Sequence, residues 1–156
     1  MNKRVARFGV AFASKELGIH PSKVDFVPSV LLGQTTITAM FLPDHNTILF
    51  NENWLEGAKP EEVLMIAFHE TRHAYQKRQI DVLRFGLNIE PTEVVQRWKT
   101  EFERYYRAKD EFQSDPMYLE QGVEKDAIEY SQKTIEIMLS TISVSQTPKI
   151  HEVLKK

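Results

Sequence analysis

Two histidines and a glutamate stand together in the segment FHETRH, where His69 and His73 lie four residues apart and Glu70 directly follows the first histidine. Four residues advance an α-helix by about 400°, so both imidazoles would project from one face, one turn apart. Glu70 would lie about 100° round the helix, beside a shared ion without having to bind it. Two neutral nitrogen ligands with a carboxylate beside a metal-bound water are the arrangement that metal-dependent hydrolysis requires.

A catalytic zinc ion has three protein ligands and a water, so a third ligand is expected elsewhere in the chain. The strongest candidate is Glu124, in the segment QGVEKDAIEYS. Ala127 follows it on the same helix face, where a small side chain would allow a close approach to the histidine helix. Asp126 could hydrogen-bond a ligating histidine. Alternatively, Glu124, Asp126 and Glu129 form a solvated acidic face, because charged helix residues are mostly exposed.

The other histidines are weaker candidates for a metal ligand. His20 follows the first predicted helix, His45 lies in a predicted turn and His151 lies near the end of the sequence, so each is expected at the surface. The pair at 69 and 73 also has a simpler interpretation. Two histidines on a buried helix can bond to backbone or carboxylate groups without any metal.

The first elements that must position these residues are a helix and three strands. KVDFVPSVLL predicts an edge or irregular strand, because it contains Pro28. TTITAMFL and NTILFNE, separated by the turn sequence PDHN, predict a β-hairpin from Thr35 to Phe50. Before the strands, helical spacing predicts an amphipathic helix whose apolar positions include Val5, Phe8 and Phe12.

Three helices are expected after the hairpin. Pro60 suits the first position of a helix and the acids after it suit the positive end of the helix dipole, so the histidine helix should begin there. Its segment VLMIAF has almost no polar face, which predicts a central, buried helix. Another helix begins near Pro91, and a last one runs from about Pro116 to Ser143. This order of elements predicts an α+β fold in a single domain spanning residues 1–156.

Composition limits the classes of function. The chain has 156 residues, a formal net charge of -2 at pH 7 and no cysteine. A general nucleic-acid binder would show a basic excess, so no nucleic-acid partner is expected. The lack of cysteine excludes disulfides and thiolate metal sites and suits a reducing cytoplasm, where we expect the protein. No stretch approaches the roughly 20 apolar residues of a membrane span, so no membrane partner is expected.

The chemistry-bearing residues resemble those of the His-Glu-x-x-His zinc peptidases whose third ligand is a glutamate on a later helix, the gluzincin-like branch of the zincins. Within that group, the chain resembles the ImmA/IrrE-type metallopeptidases. These pair a strand ending in asparagine with the histidine helix and a Glu-x-x-Ala helix, which has an aromatic residue three positions further on. The counterparts here are Asn51 after ILF, the segment FHETRH, and Glu124, Ala127 and Tyr130.

The resemblance implies a minimal zincin-like fold and a zinc-dependent metallopeptidase that acts on a peptide or protein substrate. His69, His73 and Glu124 would bind zinc (Zn2+). Glu70 would be the general base that activates the zinc-bound water and then passes the proton to the leaving amine. The substrate would lie along the sheet edge as an added strand, supplied by the hairpin.

Further site residues are expected around the metal. Arg72 and Gln76 lie on the metal-facing side of the histidine helix and could contact the substrate or cover the cleft. A tyrosine or histidine should stabilise the oxyanion. The candidate tyrosines are Tyr75, Tyr105, Tyr106, Tyr118 and Tyr130.

Two functions without turnover fit the same sequence. One is a zincin-like metal-binding protein with a regulatory or interaction role. The other is a structural protein that docks through the predicted helix from Thr92 to Ala108. The mixed signs of the charges on that helix are typical of a solvated face.

Overall fold

The computed structural model describes residues 1–34, 36–104, 117 and 120–153, with side chains to Ile142 in the last helix. The predicted α+β class is confirmed: an N-terminal helix precedes a three-stranded sheet, and helices follow. None of the helices in these ranges is long and apolar enough to cross a membrane. The elements are α1 (Asn2–Leu17), β1 (Lys23–Val27), β2 (Ala39–Leu42), β3 (Thr47–Asn51), α2 (Glu52–Gly57), α3 (Pro60–Leu83), α4 (Thr92–Glu103) and α5 (Gly122–Val153).

The sheet has the strand order β1-β3-β2, so β3 is its central strand. β2 and β3 form the predicted hairpin and pair antiparallel, with Phe41 opposite Ile48. β1 pairs parallel to β3 and lies at the edge, as the proline after it predicted. Ile48 and Phe50 share one face of β3 and are fully buried in a core with Ala6 of α1 and Val63 of α3.

α3 is the central helix, as its apolar segment predicted, and it contacts α1, α4, α5 and β2. It begins at Pro60, and Glu62 in its first turn accepts a hydrogen bond from the backbone N–H of Lys59 at 2.7 Å. This carboxylate satisfies a donor at the helix start and lies near the positive end of the helix dipole. Val63 and Phe68 are fully buried, so α3 enters the core from its first turn.

α1 packs on α3 through small residues, and of the predicted apolar positions Val5 and Phe12 pack against the core whereas Phe8 does not. Phe8 is 55% exposed, whereas Ala6, Gly9 and Ala13 are buried. A Cβ atom placed on Gly9 would lie only 2.7 Å from Cβ of Ala67. Because the helices approach this closely at Gly9, only small side chains fit at that contact, and the ring of Phe12 packs nearby against that of Phe68, with centroids 5.8 Å apart.

α5 begins at Gly122, later than the sequence predicted, and its backbone continues to Val153. Glu101 of α4 accepts hydrogen bonds from the backbone N–H groups of Gly122 and Val123, both at 2.9 Å. The first N–H groups of a helix have no partner within it, so a carboxylate from another helix caps α5. The capped turn is the one that carries Glu124.

Candidate metal centre

The histidines of α3 lie beside α5, on the face that the four-residue spacing predicted. His73 is buried, and the side chain of His69 is 13% exposed. Their Nε2 atoms are 3.1 Å apart, and the two rings meet edge to face at an interplanar angle of 85°. Both rings therefore direct the same nitrogen towards one point.

Glu124 projects from the first turn of α5 towards that point. Its Oε1 lies 3.0 Å from Nε2 of His73, and its Oε2 lies 3.1 Å from Nε2 of His69. The side chain is fully buried, and so is Ala127 on the next turn. The alternative of a solvated acidic face holds for the exposed Glu129, but not for Glu124.

These three side chains form a group that could hold a metal ion. Two atoms bound to one tetrahedral zinc ion at about 2.0–2.1 Å are roughly 3.3 Å apart, which is close to the 3.0 and 3.1 Å separations here. Two imidazoles and a carboxylate form the donor set of catalytic zinc sites that keep a fourth position open. His20 and His45 are exposed and lie outside the group, and the side chain of His151 is outside the described part of the chain.

The electrostatics of the group favour a shared cation. Burial lowers the pKa of His73, but the charge of Glu124 and its hydrogen bond outweigh burial and raise this pKa to about 9. Burial also opposes ionisation of Glu124, but the charge of His73 and the hydrogen bonds from both histidines hold its pKa well below the usual range. The buried carboxylate is thus an anion that requires a positive charge beside it. A divalent ion would supply more charge than the proton of His73.

Asp126 does not hydrogen-bond a ligating histidine directly, which corrects the expectation from the sequence. Gln76 stands between them: its Oε1 lies 2.9 Å from Nδ1 of His73, and its Nε2 donates to Oδ2 of Asp126 at 2.7 Å. Asp126 also accepts two hydrogen bonds from Arg72, at 2.7 and 3.0 Å. Gln76 is fully buried, so it has no surface that could contact a substrate.

The guanidinium group of Arg72 lies inside the fold, among rings and carboxylates. Its Cζ is 4.5 Å from the ring centroid of Tyr75 and 5.3 Å from that of Tyr130. Oε1 of Glu90 lies 3.6 Å from its Nη2. Burial lowers the pKa of Arg72, but Asp126 and Glu90 outweigh burial and raise it. Arg72 is therefore a firmly charged donor that holds Asp126 in place.

Glu70 is 8% exposed and follows His69 on α3. Its negative charge contributes to the raised pKa of His73, after the larger effects of burial and Glu124. Within the described part of the chain, this carboxylate has no hydrogen-bond or ion-pair partner. A carboxylate with unused lone pairs beside a cation site has the property that a general base requires.

The tyrosines predicted as candidate oxyanion donors differ in their contacts. The hydroxyl of Tyr75 donates to Glu90 at 2.8 Å, and burial together with this carboxylate raises the pKa of Tyr75 to about 12. The ring of Tyr130 lies against Arg72. The others, Tyr105, Tyr106 and Tyr118, lie outside the described residues.

Comparison with protein-family models, with curated proteins and with solved structures gives no match for this chain. The resemblance to the ImmA/IrrE-type metallopeptidases therefore rests on the residues of the centre. One further counterpart, Asn51, is buried at the end of β3. Its Oδ1 accepts hydrogen bonds from the backbone N–H groups of Asn53 and Trp54, so its observed contacts are those of a helix cap.

Two residues shape the centre in ways that the sequence does not predict. Gln76 lies on the metal-facing side, as predicted, but it contacts His73 and not a substrate, and its spacing of three from His73 is a signal of that contact along the helix. Glu101 carries no such signal, because its contact with Gly122 depends on how α4 packs beside α5.

Proposed function

We propose that the protein is a zinc-dependent peptidase in which His69, His73 and Glu124 hold the ion and Glu70 is the general base. The observation that carries this proposal is the meeting of two imidazole nitrogens and the two oxygens of one carboxylate at 3.0 to 3.1 Å. Next to His69 in the chain is a second carboxylate, that of Glu70, which lacks a partner among the described residues. A zinc ion in such a donor set polarises a carbonyl group and lowers the pKa of water to about 7. We infer a peptide or protein substrate from the resemblance of these residues to ImmA/IrrE-type metallopeptidases.

Glu70 and Glu124 have different roles in the proposed hydrolysis. Glu70 accepts a proton from the attacking water and later donates it to the leaving amine, because no other group in the described part of the chain uses its lone pairs. Its low exposure keeps bulk water from weakening the electrostatic interactions at the reacting atoms. Glu124 balances positive charge at the centre as a buried anion.

A second candidate is a metal-binding regulatory protein without turnover. One observation favours it: the hydroxyl of Tyr75 is already bonded to Glu90 and is not free to stabilise an oxyanion. Both candidates share the metal centre and differ only in whether peptide bonds are cleaved.

The variant Glu70→Gln separates the two candidates. Glutamine has nearly the same shape, so zinc content and fold should be kept, but a neutral amide cannot accept the proton of water. Hydrolysis should therefore fall by about 10²–10⁴-fold. The matched control is Glu61→Gln, which changes an exposed glutamate of the same helix and should leave activity unchanged.

The probe is a peptide pool prepared from a whole proteome, with new N-termini identified by mass spectrometry. Bonds cut by the zinc-loaded wild type and by Glu61→Gln, but not by Glu70→Gln, support the peptidase. Equal cutting by Glu70→Gln would exclude this role of Glu70. No cutting by any zinc-loaded form favours the regulatory candidate.

A further inference from the structure

We infer that Gln76, Asp126 and Arg72 are positioning residues that fix Nε2 of His73 towards Glu124. Together they form a hydrogen-bonded chain from the imidazole to a partly buried guanidinium group, here called the Gln76 bridge. The inference rests on the proposed metal centre and adds to it the residues that orient one ligand.

The orientation of the Gln76 amide follows from its neighbours. Its Nε2 lies 3.0 Å from the backbone carbonyl of Val123 and 2.7 Å from Oδ2 of Asp126. Both of these atoms accept hydrogen bonds, so the NH2 group must face them and the amide oxygen must face His73. An oxygen accepts, so Nδ1 of His73 must carry the hydrogen of the 2.9 Å contact. The lone pair of the neutral imidazole is then on Nε2, which is the nitrogen at the centre.

The bridge also sets the distance between two ligands. Gln76 and His73 belong to α3, whereas both acceptors of the amide belong to α5. Those acceptors, Val123 and Asp126, flank Glu124 in the sequence. A shift of the amide would therefore move the imidazole and the carboxylate relative to each other.

Arg72 makes the far end of the bridge rigid. It donates from Nε and Nη2 to the two oxygens of Asp126, a paired geometry that fixes the plane of the carboxylate. Contacts with the rings of Tyr75 and Tyr130 hold the guanidinium group in turn. Asp126 is thus held in the position from which it accepts from Gln76.

Zinc affinity of Gln76→Met tests this role. Methionine has a similar length and is apolar, so it fills the space but accepts no hydrogen bond from Nδ1. Loss of a residue that orients a metal ligand typically costs about 10–100-fold in affinity, and we expect that loss in competition with a chelator. The matched control is Thr71→Val on the same helix. Thr71 is fully buried, and its hydroxyl donates only within α3, to the carbonyl of Ala67.

A second measurement separates positioning from general stability. In the zinc-loaded wild type, the Nδ1 proton of His73 should give a downfield proton NMR resonance protected from solvent. Gln76→Met should lose that resonance, and Thr71→Val should keep it.

The outcomes distinguish this inference from the proposed function. If the wild type binds zinc and Gln76→Met binds it equally tightly, the inference is overturned and the peptidase proposal stays intact. An equal loss of affinity in Thr71→Val would also overturn the inference, because replacing any buried polar side chain would then lower zinc affinity. No zinc binding by the wild type would overturn both. Loss of zinc affinity and of the Nδ1 resonance in Gln76→Met, but not in Thr71→Val, supports the bridge even if no peptide is cleaved.

Discussion

Glu124 and His73 meet across two helices, with a carboxylate oxygen 3.0 Å from an imidazole nitrogen. The contact depends on the packing of α5 against α3, because neither helix holds the complete ligand set. Glu101 caps the turn that carries the carboxylate, and the Gln76 bridge ties this turn to the imidazole. The centre is therefore a property of the tertiary fold, although two of its three side chains lie in one short segment.

Replacing the carboxylate should disable the centre. Glu124→Ala should weaken zinc binding by more than about 100-fold, because even partners outside the ligand set cost about 10–100-fold. Chelator competition measures the affinity, and Glu129→Ala, an exposed position on the same helix, should match the wild type. If Glu124→Ala binds zinc as tightly as the wild type, the third ligand lies elsewhere, and His45 must be reconsidered.

Zinc binding should release a proton. The pKa of His73 is raised from 6.5 to about 9 in the metal-free protein, so the ring is protonated at neutral pH. A ligand must be neutral, so binding should release about one proton at neutral pH and none well above pH 9. The apparent affinity should therefore fall as the pH drops below 9. Calorimetry in two buffers of different ionisation enthalpy counts the proton, and a count near zero at neutral pH would contradict the prediction.

The cap on α5 should contribute to stability. Glu101→Ala removes the acceptor for two backbone N–H groups, which should lower the free energy of unfolding by about 1–2 kcal/mol. Denaturant unfolding of the metal-free protein measures this change. Glu103→Ala, at an exposed position on the same helix, is the control and should change little. Equal stability of the two variants would show that the carboxylate does not act as a cap.

The close contact between α1 and α3 should not tolerate a methyl group. Alanine in place of Gly9 favours a helix by up to about 1 kcal/mol, but its Cβ would lie 2.7 Å from that of Ala67. Overpacking typically costs about 1–3 kcal/mol, so Gly9→Ala should lower the midpoint of thermal unfolding. Gly57→Ala meets no atom within 4 Å and should not lower it. A Gly9→Ala variant as stable as the wild type would mean that the helices can separate at little cost.

The features that could be predicted from the sequence depend on local chemistry. Pro60 and the acids after it mark the start of α3, and turn residues mark the β2–β3 hairpin. The shared face of His69 and His73 needs only helical periodicity. Glu124 could be proposed as a partner because a small residue, Ala127, follows it by one turn.

The features that could not be predicted depend on which elements approach each other. Helical spacing predicts Phe8 on the packed face of α1. At the closest approach of α1 to α3, however, only small residues fit, and Phe8 is exposed. The parallel pairing of β1 with β3 has no signal in either strand. Asp126 was expected to bond a histidine, but the separation of α3 and α5 leaves room for a glutamine amide between them.

Metal content tests most directly whether His69, His73 and Glu124 hold a zinc ion. The protein should be purified without a histidine tag, loaded with zinc, dialysed and analysed by mass spectrometry of the metal. The wild type should contain about one zinc per chain, and His69→Ala/His73→Ala should contain almost none. Equal zinc content in the wild type and the double variant, or none in the wild type, would contradict the site.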